Sequence, residues 1–267
     1  MELYTRIIAH SLPVVIVVLM GYWMGDGLTT YTVNEGLVSA RDTSGFSWRH
    51  GDARVFNWHP VLMSFGFIFC SMQAALVYIS LPFSHEIKKR IHLSLHALGF
   101  ISASLGALAV FRFHNEHKIK NLYSLHSWLG LTGLILFATH WLSSFAVLFY
   151  PGAKRTVRAA FTPYHIGIGL SILGLVVATV ESGILEKLTF NGSCNVNGKL
   201  NGEVVQGYMA PDCLTGNIIG LLVALSLVAV VVTVWHAKHT EQDELVKDEL
   251  TPLLPDSSGE KQNEVLL

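Results

Sequence analysis

Of the histidines that lie inside long apolar segments of this chain, four are the residues best suited to do chemistry. They are His59, His92, His126 and His165, separated by 33, 34 and 39 residues. Ionisable side chains at membrane depth are costly, and they usually face the interior of a helical bundle for a functional reason. A neutral imidazole offers one nitrogen lone pair to a metal, so the pattern favours metal ligation.

Each of these histidines falls in the opening turns of one of four consecutive spans. Because successive spans cross the membrane in opposite directions, we expect His59 and His126 near one surface and His92 and His165 near the other. Two imidazoles at equal depth can fill both axial positions of a haem iron. No Cys-x-x-Cys-His sequence is present, so the pattern predicts two non-covalent b-type haems with bis-histidine ligation. Such irons suit electron transfer.

Other roles for these histidines stay open. A single buried histidine often does no more than stabilise helix association through hydrogen bonds. Several together could relay protons in a proton-coupled transporter, which would contain no haem. A haem-binding scaffold without turnover is a further alternative.

Two more histidines compete for the ligand roles. His140 follows His126 by 14 residues, close to four helical turns, so both lie on one face. A helix that serves two haems in this way needs a partner with the same spacing, and none is present, so we interpret His140 as a packing or hydrogen-bonding residue. His96 is the main rival of His92.

Glycines on the histidine faces of the helices could make room for porphyrin, or could simply permit close helix packing. They stand four or seven residues after a histidine, and they are Gly66, Gly99, Gly130 and Gly169.

The elements that must position these residues are transmembrane helices. The 267 residues are 51% hydrophobic and 14% charged, with a mean hydropathy of +0.45, which excludes an ordinary soluble domain. Six apolar segments are long enough to span a bilayer, and none shows the two-residue alternation of a membrane strand. The predicted spans are Ile7–Gly25, Phe56–Leu81, Ile91–Phe111, Tyr123–Tyr150, Tyr164–Val180 and Ile218–Trp235.

The predicted fold is therefore all-α, with spans two to five forming a four-helix bundle around two b haems. We interpret the first segment as a span rather than a cleaved signal, because Pro13 interrupts it and no clear cleavage site follows. Residues 1–240 form the membrane core, and residues 241–267 are expected to be a disordered acidic cytoplasmic tail.

Charge in the short loops predicts the orientation. The loops at residues 84–90 and 151–163 contain six basic residues and only one acidic residue, Glu86. By the positive-inside rule these loops face the cytoplasm, and both termini then do so as well. The basic residues are Lys88, Lys89, Arg90, Lys154, Arg155 and Arg158.

The loop after the fifth span has features of a non-cytoplasmic segment. Asn191 begins an Asn-Gly-Ser glycosylation sequon, and Cys194 and Cys213 could form a disulfide in an oxidising compartment. Short sequons also arise by chance, and the cysteines could stay reduced. Cys70, inside the second span, is expected to be a core residue.

The tail contains a possible sorting signal. Residues 249–254, Glu-Leu-Thr-Pro-Leu-Leu, have the form of an acidic dileucine motif. This predicts an endosomal, lysosomal or other vesicle membrane, with the plasma membrane as the alternative.

Three motifs resemble the cytochrome b561 family, and the resemblance extends over residues 56–235. They are Phe-Asn-Trp-His-Pro-Val-Leu-Met at residues 56–63, Leu-Tyr-Ser-Leu-His-Ser-Trp at residues 122–128, and Pro-Tyr-His-Ile at residues 163–166. The resemblance implies cytoplasmic ascorbate as the electron donor and two b haems as the electron path. The acceptor would be a ferric iron chelate, which we favour, or monodehydroascorbate. It also implies a homodimer in a lipid membrane, with no nucleic acid partner.

The resemblance also implies the substrate-binding residues. Ascorbate is an anion, and by similarity Arg90 and Arg158 hold it near the cytoplasmic haem with help from Lys88 and Lys89. The non-cytoplasmic acceptor is expected at His114, Tyr123 and Ser124, and His117 and His50 could assist.

One position departs from the family pattern. The family commonly has Leu-Val-Tyr-Arg at the end of span two, whereas this chain has Leu76, Val77, Tyr78 and Ile79. The missing arginine puts one cytoplasmic ascorbate contact in doubt. Residues 56–63 and the tail favour the duodenal and lysosomal ferric reductase branches.

Overall fold

A computed structural model describes residues 2–25, 30–34, 37–41, 44–191, 194, 199–200, 203–204 and 211–250. Six helices in this part of the chain are long and apolar enough to cross a membrane. They are α1 (Glu2–Met24), α2 (Ala53–Ser80), α3 (His85–Glu116), α4 (Leu125–Phe149), α5 (Arg155–Asn191) and α6 (Pro211–Leu250). The prediction of an all-α protein with six spans is confirmed.

The helices extend beyond several predicted boundaries. We expected the fifth span to begin after Pro163, yet Pro163 lies inside α5, which continues to Asn191. Glu186 and Lys187 lowered the apolar signal near this end, but both side chains contact other elements: Glu186 accepts a hydrogen bond from Tyr123, and Lys187 lies against aromatic rings.

The expected disordered tail differs from the structure over its first ten residues, because α6 continues to Leu250. Residues 241–250 contain no glycine or proline, and seven of the ten are Glu, Leu, Gln or Lys, which favour a helix. The rest of the tail and most of the predicted sorting motif, residues 251–254, lie outside the described residues.

The helices are arranged as two antiparallel pairs with a flanking pair. Helix α2 packs along α3, α4 packs along α5, and α1 packs along α6, which also contacts α5 and α2. The α2/α3 and α4/α5 pairs face one another, which gives the expected four-helix bundle of spans two to five. In this bundle His59 and His126 lie at one end, here called the His59 end, and His92 and His165 lie at the other, the His92 end.

Glycines allow the closest helix contact. A Cβ atom on Gly66 of α2 would lie 2.5 Å from the carbonyl oxygen of Gly99 in α3, and one on Gly99 would lie 2.7 Å from that of Gly66. Lipid is as apolar as the helices, so close packing rather than hydrophobic burial drives their association. For these two glycines the packing interpretation holds.

The largest buried side chains lie between the bundle and its flanking helices. Examples are Ile16 in α1, Ile68 and Met72 in α2, and Ile219 and Val223 in α6, all fully buried. Cys70 is also fully buried, as expected for a core residue. This packing fixes α2, which carries His59.

Two antiparallel hairpins, not expected from the sequence, lie between membrane helices. One comprises β1 (Thr30–Asn34) and β2 (Leu37–Arg41), and the other β3 (Lys199–Leu200) and β4 (Glu203–Val204). In the connection that holds the second hairpin, Cys194 forms a disulfide with Cys213 at the start of α6, with Cα atoms 5.3 Å apart.

Candidate functional site

The local structure before His59 fixes where α2 begins. Asp52 caps the first turn by accepting a hydrogen bond from the Arg54 N–H, and it binds the Arg54 guanidinium through both oxygens. This guanidinium keeps the pKa of the Asp52 carboxyl well below its usual range. The buried Asn57 amide donates to the carbonyl oxygens of Met24 and Gly45 at 3.2 and 2.8 Å. His59 therefore follows an anchored turn.

His126 is positioned by a helix cap. Its helix, α4, begins at Leu125, and the Ser124 hydroxyl accepts a hydrogen bond from the Ser127 N–H at 3.2 Å. Serine is a favoured residue at this position because it satisfies a free backbone N–H group. The structure thus places the predicted acceptor residue Ser124 in a capping role.

The structure brings together both predicted histidine pairs. The ring centroids of His59 and His126 are 6.1 Å apart, and those of His92 and His165 are 6.0 Å apart. A metal shared by two imidazoles needs about 6 Å between ring centres, since each bond is about 2 Å and each nitrogen lies about 1 Å from its ring centre. Both pairs have this spacing, so their donor set fits a six-coordinate haem iron.

Hydrogen bonds to backbone carbonyls set the tautomers of three of these rings. His59 Nδ1 donates to Gly106 O at 3.0 Å, and His92 Nδ1 donates to Ala74 O at 2.8 Å. These two bonds are reciprocal, because each histidine of the α2/α3 pair donates to the other helix. A carbonyl oxygen can only accept, so each Nδ1 carries the proton and each Nε2 keeps the lone pair that a metal needs.

The α4/α5 pair is held in a similar way. His126 Nδ1 donates to Thr179 O of α5 at 2.9 Å, and His165 Nδ1 lies 2.9 Å from Ser144 Oγ of α4. All four predicted ligands therefore bond through Nδ1 to the other helix of their own antiparallel pair. Helix packing fixes each ring and presents its Nε2.

Gly183 makes room for His126 and was not singled out from the sequence. A Cβ atom here would lie 2.6 Å from His126 Cε1, so only glycine fits beside the ring. Gly183 follows His165 by eighteen residues, about five helical turns, which puts both on one face of α5. That spacing could have identified it.

The predicted porphyrin glycines divide into two groups. Gly66 and Gly99 pack helix against helix. Gly130 and Gly169 face the bundle, where an added Cβ would meet Thr179 Cγ2 at 3.5 Å and His140 Nε2 at 3.6 Å respectively.

The rival histidines, His96 and His140, lie beside the pair formed by His92 and His165. Among the described residues, neither of them faces another imidazole at the spacing of two metal ligands. His96 is one turn after His92 on the same helix, with ring centroids 4.6 Å apart. His140 stacks on His165 at 4.8 Å with only 11° between the planes, an arrangement unlike two ligands across a metal. His96 Nδ1 and His140 Nε2 are buried with no hydrogen-bond partner in the described part of the protein.

An aromatic cluster lies on the bundle axis. Phe137 of α4 packs against Phe67 of α2 at 5.1 Å and against Phe100 of α3 at 6.1 Å, and it also contacts His96. These rings close the core between the two antiparallel pairs.

The predicted basic residues gather at the His92 end. Lys88 Nζ donates to Tyr78 O at 3.1 Å, and Lys89 Nζ lies 5.5 Å from the Phe149 ring centroid. The side chains of Arg90 and Arg158 are exposed. Tyr78, which the sequence marked only as part of a motif, packs its ring 5.5 Å from His92.

Helix α1 supplies a cation near the position of the missing family arginine. Arg6 Nη1 donates to the carbonyl oxygen of Ile79 at 3.2 Å. A guanidinium from another helix thus lies beside the residue that departs from the family pattern.

At the His59 end, the predicted acceptor residues meet an acid that the sequence did not indicate. The Tyr123 hydroxyl donates to Glu186 Oε1 at 2.7 Å, and its ring lies 6.4 Å from that of His114, whose Nδ1 pairs with Asn121 Oδ1 at 3.1 Å. Partial burial and the Glu186 carboxylate raise the pKa of Tyr123 to about 12. Glu186 was missed because α5 was expected to end at Val180.

The two assisting histidines have partners of their own. His50 bonds Glu116 at 2.9 Å, and His117 Nδ1 donates to Phe113 O at 2.9 Å. At the predicted glycosylation site, the half-buried Asn191 amide lies 3.5 Å from Asp212 Oδ2, while Gly192 and Ser193 are outside the described residues. Glycosylation there stays a prediction.

Comparison with known proteins identifies the family. The profile described as eukaryotic cytochrome b561 matches residues 58–191. A protein of Oryza sativa subsp. japonica named "Probable ascorbate-specific transmembrane electron transporter 2" is 37% identical over 89% of this chain and 91% of its own length.

Two animal proteins are also similar. A Mus musculus protein named a lysosomal membrane ascorbate-dependent ferrireductase is 46% identical over 55% of this chain and 61% of its own length. A Xenopus tropicalis protein named a plasma membrane ascorbate-dependent reductase is 38% identical over 81% and 75%. The resemblance seen in the motifs is confirmed: the chain belongs to the eukaryotic cytochrome b561 family, whose members carry b-type haem.

Proposed function

We propose that this protein is a transmembrane oxidoreductase that passes electrons from cytoplasmic ascorbate to a non-cytoplasmic ferric iron chelate. Two b-type haems would carry the electrons, one held by His92 and His165 and the other by His59 and His126. The observation that carries the proposal is the pair of facing imidazoles at each end of one bundle. Bound there, each haem would supply a one-electron carrier.

The protein side chains orient the ligands and gather the substrates. At the His92 end, Lys88, Lys89, Arg90 and Arg158 attract the ascorbate anion, and Arg6 supplies a guanidinium beside Ile79. The positive-inside rule places this end in the cytoplasm, together with both termini.

At the other end the acceptor meets a different set of groups. His114, Tyr123 and Glu186 offer imidazole, phenol and carboxylate, which suit a hard ferric ion or its chelate. Relatives named for ferrireductase activity favour this acceptor over monodehydroascorbate. They include lysosomal and plasma membrane forms, and the predicted dileucine motif favours an endosomal or lysosomal membrane here.

The proton-relay alternative fits the histidines less well. A relay needs ring nitrogens that exchange protons, whereas three of the four Nδ1 protons are held by carbonyl oxygens of neighbouring helices.

The test is a spectrum followed by a vesicle assay. Purified protein should show a reduced-minus-oxidised b-type spectrum with ascorbate as the reductant, and His59→Ala and His92→Ala should each remove one of two haems. Vesicles loaded with ascorbate should then reduce ferric citrate outside. A colourless protein would favour the transporter, and a coloured protein without reduction would favour the scaffold. If the protein reduced monodehydroascorbate faster than ferric citrate, the proposed acceptor would be monodehydroascorbate instead.

A further inference from the structure

A lysine is partly buried among aromatic rings near the His59 end of the bundle. Lys187 is on α5, four residues before the helix ends at Asn191. Its Nζ lies 4.9 Å from the ring centroid of Phe56 and 5.9 Å from that of Trp23. Aromatic faces attract a cation, but they do not replace a carboxylate partner.

Among the described residues, no carboxylate forms a salt bridge with Lys187, so no direct ion pair there neutralises its charge. The acid that acts on it at longer range is Asp212, which is fully buried at the start of α6. Asp212 already accepts hydrogen bonds from the Cys213 N–H at 3.0 Å and the Asn191 amide at 3.5 Å.

The Trp23 ring that Lys187 contacts also carries a donor with no acceptor among the described residues. The Trp23 indole Nε1 is buried, with the residue only 2% exposed, and it has no hydrogen-bond partner among the described residues. Buried polar groups are nearly always paired, so an unpartnered N–H on a ring that a cation contacts points to an acceptor that binds there.

This place is one aromatic ring away from a predicted haem ligand. The Phe56 ring lies 6.1 Å from the His59 ring on one side and 4.9 Å from Lys187 Nζ on another. An anion held by Lys187 would therefore lie close to the outer histidine pair, His59 and His126.

We propose that Lys187, together with the Trp23 indole N–H, forms a carboxylate-binding site at the His59 end. The carboxylate comes from a haem propionate or from an anionic ferric chelate, and the second source rests on the proposed function. The two sources predict different effects. A cation near a haem favours its less positive, reduced form, so Lys187 raises that haem's potential; a cation at the acceptor raises the affinity for the chelate.

The experiment compares Lys187→Met with Lys187→Arg and with Lys120→Met in the full-length protein. Lys120 is exposed in the loop that follows α3, so its replacement removes the same charge near the same end of the molecule. Each variant is titrated spectroscopically for both haem midpoints and assayed for ferric citrate reduction. The outer haem is the one that His59→Ala lacks.

If the carboxylate is a propionate, Lys187→Met lowers the midpoint of the outer haem alone, or releases that haem alone. If it belongs to the chelate, both midpoints stay and KM for ferric citrate rises about tenfold with kcat retained. A change in both quantities supports the site and assigns both sources to it. In each case Lys187→Arg stays close to wild type.

Two results would overturn the inference. One is a folded Lys187→Met protein whose midpoints and KM match those of Lys120→Met. The other is loss of both haems or of folded protein in Lys187→Met and in Lys187→Gln alike, which would show a packing role. Neither result touches the proposed function, which fails only if the wild-type protein lacks haem or transfers no electrons.

Discussion

A histidine in a membrane helix can hold a metal, relay a proton or join two helices, and the partner of its Nδ1 atom separates these roles. His59, His92 and His126 each donate from Nδ1 to a backbone carbonyl, at 2.8 to 3.0 Å. In metal sites, such a bond from the other ring nitrogen orients the histidine and raises the basicity of Nε2. At this scale the hydrogen bonds leave each Nε2 available to a metal.

Gly183 provides the sharpest single-residue test. Gly183→Ala places a methyl group 2.6 Å from His126 Cε1, so the ring must move and the outer haem is expected to be lost or weakened. The measurement is the haem-to-protein ratio, with the remaining spectrum matching that of His59→Ala. Gly174→Ala is the control, because nothing lies within 4 Å of its added Cβ. Equal haem content in both variants would contradict the role of Gly183.

Arg6 tests whether α1 contributes to donor binding. Arg6→Ala removes a guanidinium beside Ile79, and loss of one charge-assisted contact of about 1.5 kcal/mol raises KM for ascorbate roughly tenfold with kcat little changed. Initial rates with ascorbate on the cytoplasmic side measure this. Arg49→Ala is the control, since Arg49 is exposed near the opposite end. An unchanged KM would leave Arg6 with a structural role only.

At the scale of elements, each antiparallel pair carries a ligand for both ends of the bundle. Helices α2 and α3 hold His59 and His92 and exchange hydrogen bonds through them. A π-helical segment, Ser64–Cys70, lies in α2 just after His59. Such segments are frequent at functional sites. A change in how α2 meets α3 should therefore affect both histidine pairs.

The Gly66–Gly99 contact tests that dependence. Gly66→Ala puts a Cβ 2.5 Å from the Gly99 carbonyl oxygen, which forces the helices apart at a cost of about 1–3 kcal/mol. We expect a lower Tm in detergent and reduced content of both haems together. Gly21→Ala in α1, with nothing within 4 Å of its Cβ, should behave as wild type. Loss of one haem alone would mean that the two ends respond separately.

At the scale of the whole molecule, the two ends differ in charge and chemistry. The His92 end carries the predicted cytoplasmic cations, whereas the His59 end combines His114, Tyr123 and Glu186 with the partly buried Lys187. Under the proposed function, this asymmetry would set the direction of electron transfer, because each end would bind a different substrate.

The direction of electron transfer across the membrane can be tested with one variant. In vesicles, His92→Ala is expected to lose the inner haem, so ascorbate inside should reduce neither the outer haem nor external ferric citrate. A reductant added outside should still reduce the outer haem, which separates a broken path from a misfolded protein. Continued transfer from internal ascorbate at the wild-type rate would show that His92 is not on the path.

Much of this architecture followed from local sequence properties. Span length and the helical period determined six spans, and the spacing of four histidines placed two near each end. The resemblance in residues 56–63, 122–128 and 163–166 pointed to the family, which the comparison confirmed. The ends of α5 and α6 were less predictable, because polar residues there lower the hydropathy although the helices continue.

The sequence by itself therefore determined the class of protein, its six helices and the histidines that could bind metal. Only the tertiary structure decided that His59 donates to Gly106, that Gly183 admits the His126 ring, and that Lys187 lies against Phe56. Hydropathy and spacing act along one helix and can be read from neighbouring residues. These contacts join residues 47 to 131 positions apart, and they depend on how whole helices pack.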